Sequence, residues 1–218
     1  MRDGVQAVLT DHGAIDLLVN NAGAGHRGTL EQLSDDELRG SWELNFLGVT
    51  RAVIPGMRAR GSGRIVTVTS SNGVIGMPFS DAYNASKSAV EGLMEGLAPV
   101  LRAFGVSVSV LEPGPVRTAF LRNAGGRTGA VDPADPYADL LGRYNATMAG
   151  LPGGGEEPES VAEVIAGIAR DLRPHLRDQS SPAATALAGR KLVDPTGGTV
   201  VAGTSAFLQH GADRLPGG

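Results

Sequence analysis

Apolar positions along the chain follow two alternating periods. Short β-branched runs at Ile15–Val19, Ile65–Val68 and Val106–Leu111 have the composition of strands buried in a sheet. Between them the apolar residues fall at helical spacing. Val5, Val8 and Leu9 read as the end of a helix that Gly13 stops. Ser34 with Glu37 three residues on predicts a capping-box start, and Asp35 and Asp36 suit a first helical turn equally well. That helix breaks or restarts near Gly40 and continues through Trp42, Leu44, Phe46, Leu47 and Val53 towards Pro55 and Met57. Gly61-Ser62-Gly63 is a turn. A longer helix carries Tyr83, Val90, Leu93, Met94, Leu97 and Leu101 to Phe104, with Gly105 as its cap and Pro99 as an irregularity.

The order is βαβαβ, which calls for an α/β fold: a parallel sheet with right-handed crossovers. Residues 123–157 are rich in Gly and Pro, with a short helical candidate around Tyr137–Met148, and read as a lid. Glu159–Leu172 is an amphipathic helix with Val161, Val164, Ile165 and Ile168 on one face. From Ser180 onward the pattern is weak, and no internal repeat is visible. One domain is therefore expected over 1–218, with a core over 1–122, the lid over 123–157 and a C-terminal helix and tail over 158–218.

Composition narrows the class. With 41% hydrophobic and 19% charged residues, the 218-residue chain is of ordinary globular make-up. A net charge of −4 without a basic patch argues against nucleic-acid or membrane-surface partners. There is no cysteine, and the four histidines are scattered at no ligand spacing, so no metal is expected. No apolar run is long enough for a membrane span or a secretory leader, which makes the expected location cytoplasmic.

Chemistry gathers at the carboxyl ends of the three predicted strands. Asn20-Asn21-Ala22-Gly23, Ser70-Ser71-Asn72-Gly73 and Pro113-Gly114-Pro115-Val116 would line one edge of a parallel sheet, where ligands bind. Each alone fits ordinary turn chemistry. Tyr83 and Lys87 are four apart, on one helix face, where an ammonium would favour the phenolate. That spacing also fits an ordinary surface helix.

The ordered set of N-N-A-G at 20–23, Asn45, Ser70 thirteen residues before Tyr83, Y-x-x-x-K at 83–87 and P-G-P-V-x-T at 113–118 resembles the short-chain dehydrogenase/reductase family. The segments from Gly76 to Leu93 and from Phe104 to Phe120 look most similar to its 17β-hydroxysteroid dehydrogenase and retinol dehydrogenase branch. The resemblance implies a Rossmann-like doubly wound fold, NAD or NADP as cofactor, and oxidation or reduction of a secondary alcohol or ketone. The implied substrate is small and apolar: steroid-, retinoid- or acyl-like. It implies Tyr83 as general acid/base, Lys87 as its electrostatic partner and ribose holder, Ser70 as the group binding the substrate oxygen, and Asn45 as the anchor of a water relay. Asn20, Ala22 and Gly23 would approach the adenosine half of the cofactor, with Pro113, Gly114, Val116 and Thr118 at the nicotinamide. Family members dimerise or form tetramers through the helices that correspond here to about 35–57 and 83–104.

One family feature has no counterpart. Only nineteen residues precede Asn20, and they hold no strand followed by T-G-x-x-x-G-x-G, the loop that holds the cofactor's pyrophosphate. The expectation is an N-terminally truncated sheet with Ile15–Val19 at its edge, an internal start at Met1, and cofactor binding by these 218 residues that is weak or absent. The alternative is a non-catalytic remnant serving only as an oligomerisation partner.

Overall fold

A computed structural model describes residues 2–39, 48–120, 125–126, 134–150, 155–193, 196, 198, 203 and 206. Its centre is a parallel sheet of β1 (Leu17–Asn20), β3 (Gly63–Val68), β4 (Val106–Glu112) and β6 (Arg177–Gln179), in the order β1-β3-β4-β6. The register sets Leu18 beside Ile65 and Ile65 beside Val108. A second, minimal pair joins β2 (His26–Arg27) to β5 (Gly125–Gly126).

Strand periodicity sends alternate side chains to opposite faces, and helices cover both. On one side, Ile65, Val106, Val108 and Val110 pack against Val53 and Met57 of α2 (Gly48–Arg60) and Val90, Met94 and Leu101 of α4 (Asp81–Arg102). Val5 of α1 (Arg2–His12) closes the rim of this cluster. On the other side, Val66 and Leu111 meet Val161 and Ile168 of α6 (Pro158–Arg170). The face expected of α6 is the one it buries. Met57 and Met94 are fully buried, each contributing about 1.5–3 kcal/mol. This is a doubly wound α/β sheet.

Gly105 ends α4 at φ +72°, and a Cβ there would run into the carbonyl of Gly61, so the turns before β3 and β4 meet backbone to backbone. The Ser34–Glu37 capping box is present: Ser34 N donates to Glu37 Oε2 at 2.8 Å, and Glu37 N donates to Ser34 Oγ at 3.3 Å. Residues 35–39 are helical behind it.

β1 begins at Leu17 rather than Ile15 and pairs only with β3 among the described residues, so it is the expected sheet edge. Leu17 and Val19 on it are 41% and 36% exposed. Two parts of the reading change. The expected turn after Ser70 contains a one-turn helix, α3 (Ser71–Val74). The weakly patterned tail supplies β6 and α7 (Pro182–Val193). β6 is Arg-Asp-Gln, polar because it pairs at the end of β4 beside buried carboxylates.

In the expected lid, α5 (Ala138–Ala149) occupies nearly the predicted span. Leu141 and Tyr144 on it pack with Met77 and Phe79 just before α4. Phe79 stands at φ +57° and stacks at 5.6 Å between ring centroids with Tyr144. Among the described residues no helix is long and apolar enough to cross a membrane, and no group of His, Asp and Glu is placed to hold a metal.

Candidate active site

Ser70 closes β3 and caps α3. Its backbone is extended, with φ −174° and ψ 155°, and its Oγ accepts from Asn72 N at 3.1 Å. Ser71 N donates to Pro113 O at 2.8 Å, tying the ends of β3 and β4 together. Asn84 then fastens the following loop to α4. Its side chain donates to Met77 O at 2.8 Å and accepts from Met77 N at 3.3 Å and Asn72 Nδ2 at 3.0 Å. This clamp folds residues 70–78 back on the helix and brings the Ser70 hydroxyl near enough to Tyr83 to favour its phenolate.

Lys87 lies one turn behind Tyr83, with Nζ 5.7 Å from the ring centroid, and is buried. Its ammonium donates to Val68 O at 3.1 Å, which commits one of its three donors. Burial pulls Lys87 down to about 8, while Glu91 one further turn along pushes it back up. Burial raises the Tyr83 phenol above its ordinary value, and the nearby Ser70 hydroxyl opposes that rise. The sequence reading expects Lys87 to lower the phenol. Here burial of the ring sets the direction and raises it instead, so the phenol is the protonated partner near neutral pH.

Two residues that the sequence reading passed over build that enclosure. Phe120 stacks on Tyr83 with ring centroids 5.4 Å apart. Gly25 lies under the same ring: a Cβ there would sit 3.0 Å from Tyr83 Cδ2 and 3.3 Å from Phe120 Cζ. A glycine just past the N-N-A-G loop was the only available signal.

The other anticipated residues are spread along the same edge. Asn20 donates to Thr50 Oγ1 at 2.8 Å and Thr67 Oγ1 at 3.0 Å, so its amide ties β1 to α2 and β3. Ala22 is exposed and Gly23 half-buried in the loop that leads to Gly25. Pro113 is buried, and Gly114 N donates to Glu156 Oε1 at 3.3 Å. Val116 bridges to Glu156 and packs beside Val66 and Leu111. Thr118 is exposed, its Oγ1 accepting from Phe120 N at 3.2 Å. Glu156 is a further residue missed: Oε1 also accepts from Ser180 Oγ at 2.7 Å and Ser181 Oγ at 2.9 Å, which pins the 113–116 loop to the end of β6. Asn45, with Trp42, Leu44, Phe46 and Leu47, lies outside the described residues.

The family model for short chain dehydrogenases matches residues 1–127. The chain belongs to the short-chain dehydrogenase family. Within it, the chain is 38% identical over 197 residues to human 17-beta-hydroxysteroid dehydrogenase type 1, covering 87% of this chain and 60% of the relative. It is 37% identical over 214 residues to human retinol dehydrogenase 8, covering 93% of this chain and 68% of the relative. These place it in the steroid and retinol dehydrogenase branch. A short-chain dehydrogenase from Streptomyces avermitilis superposes with a TM-score of 0.77 at 32% identity, over 90% of this chain and 72% of that one. A gluconate 5-dehydrogenase from Burkholderia cenocepacia, solved with NADP and tartrate, superposes with a TM-score of 0.67 at 25% identity, over 85% and 70%. The chain thus spans about 60% of the length of the first of these relatives.

Proposed function

We propose that this short-chain dehydrogenase chain carries the catalytic half of an NAD- or NADP-dependent oxidoreductase that interconverts a secondary alcohol and a ketone. The observation that carries the reading is the Lys87 ammonium, buried one turn behind Tyr83 with Nζ 5.7 Å from its ring and held by Val68 O. A protonated phenol beside a hydroxyl donor gives a carbonyl oxygen two hydrogen bonds at once, which polarises the carbonyl and stabilises the charge developing on its oxygen. Tyr83 transfers its proton to that oxygen in the reduction and takes it back in the oxidation. Lys87, held by Val68 O, keeps positive charge beside the phenolate left behind and retains donors for ribose hydroxyls. Asn45 is assigned to the relay that reprotonates the pair.

NAD or NADP supplies or accepts the hydride. Lys87 would hold ribose hydroxyls of the bound cofactor, and Glu156 fixes the 113–116 loop that would border its nicotinamide. Support for this cofactor class comes from the NADP-bound gluconate 5-dehydrogenase of the same fold.

An apolar substrate is favoured by the branch, to which steroid and retinol dehydrogenases belong. Assembly through α4 belongs to the same proposal, supported by the exposed Leu93 and Val100 along it and Phe104 just past its end. The test is turnover by the protein that the whole reading frame encodes, with NAD+ and NADP+ supplied separately to steroid alcohols, retinol and gluconate. Turnover of a steroid or retinoid with at least one cofactor is expected. Activity confined to gluconate, or to none of the three, would overturn the substrate reading.

A further inference from the structure

Below Lys87, α4 continues with two more charged residues at the same four-residue spacing, Glu91 and Glu95. Glu91 is 6% exposed, so its charge lies in the protein and not in water. It accepts a short hydrogen bond from Thr69, the residue before Ser70, and meets Arg177 Nε at 3.2 Å. Arg177 also reaches Glu95 at 2.6 Å and Glu112 at 3.3 Å. Gly73 lets α3 close over this point: a Cβ there would lie 3.2 Å from both Glu91 Cγ and Lys87 O.

The charged groups around Lys87 are few. Tyr83, Glu91 and Glu95 share its helix, Glu112 comes from β4, and Arg177 and Asp178 come from β6. α3 carries no charged side chain, and Arg64, the only one on β3, sits at the far end of that strand against Ile168 O. Glu112 is itself burdened by burial, which raises it, and its Oε2 takes a hydrogen bond from Gln179 at 2.8 Å. Glu91 is therefore the carboxylate one turn from the buried ammonium, and burying an unpaired ammonium is costly.

We propose that Glu91 is the positioning residue of this site, its carboxylate serving as counter-charge to the Lys87 ammonium while its bond to Thr69 fixes the strand end that carries Ser70. This rests on the catalytic reading of Tyr83 and Lys87 only for its consequence in turnover. The electrostatic link is measurable without it.

The sequence offers an unusually clean probe, since Lys87 and Lys191 are its only lysines. Labelling the lysines with carbon-13 at the ε position gives two resonances, one from Lys87 and one from the exposed Lys191. Lys87 is expected to titrate near 8 in the parent chain. Glu91→Gln should lower that midpoint by about one pH unit, the order expected for loss of one neighbouring charge at a buried site. Glu95→Gln removes an exposed partner of the same arginine and should leave the midpoint in place.

An unchanged midpoint in folded Glu91→Gln, or an equal shift in Glu95→Gln, would overturn the assignment. Should Glu91→Gln fail to fold, the double exchange Glu91→Met with Arg177→Met should lower Lys87 by less than about one pH unit, because loss of the arginine charge partly offsets loss of the nearer carboxylate. An upward shift there would overturn the assignment. Because the readout is the titration of Lys87 itself, a parent without turnover would count against the proposed function and leave the role of Glu91 standing.

Discussion

At the scale of residues, the site rests on how far burial moves two proton affinities. Lys87 is lowered to about 8 in the folded chain and returns to about 10.4 when unfolded. Between those values the unfolded chain binds the extra proton, so stability rises with pH across that window. From pH 8 to 10 the parent should gain about 2 kcal/mol relative to a Lys87→Met variant, read from urea midpoints at each pH. Parallel pH dependence in the two proteins would show that Lys87 is not held charged in a buried place. Tyr83 titrates above its ordinary value, and its contribution has the opposite sign, lost only at still higher pH. Tyr83, Lys87 and Ser70 could be picked out from sequence because their spacing is set by one strand end and one helix. Gly25 and Phe120 could not, since their contact with the phenol depends on how two distant loops fold over it.

At the scale of elements, α4 carries Tyr83 and Lys87, and the 70–78 loop is bent to it. Asn84 supplies three of the hydrogen bonds in that bend. Asn84→Ala should cost about 2 kcal/mol of stability and loosen Ser70 against Tyr83. Thermal melts check the first effect, and catalytic efficiency should fall with little change in cofactor affinity. A variant with parent-like efficiency would remove the clamp from the account. Long apolar elements were legible: β3, β4, α4 and α6 were placed by pattern to within two or three residues. α3 was hidden because Ser-Asn-Gly-Val has turn composition and becomes helical only when capped by Ser70 and covered by α4. β6 was hidden because its three residues are polar. What makes them a strand is the β4 edge together with the buried acids that Arg177 and Gln179 satisfy.

At the scale of the whole molecule, the sheet has one exposed apolar edge. β1 presents Leu17 and Val19 with no further strand beside it among the described residues. Such an edge recruits other chains. Val19→Lys should therefore reduce self-association of the 218-residue chain in light scattering without lowering its melting temperature by more than a few degrees. Unchanged scattering would place association elsewhere, with the exposed face of α4 as the next candidate. The family, the doubly wound topology and the position of β1 were all readable from strand order and motif spacing. The position of α5 over Phe79 was not, because it depends on a left-handed backbone turn at that residue. Tyr83 is the proposed acid/base, and the most direct trial is to remove its hydroxyl. In the protein encoded by the whole reading frame, kcat and cofactor affinity are measured side by side for parent and Tyr83→Phe. Tyr83→Phe should lose at least about a hundredfold in kcat, the scale of one positioned acid/base, with cofactor affinity nearly unchanged. Turnover within a few-fold of the parent would mean that the proton travels by another route.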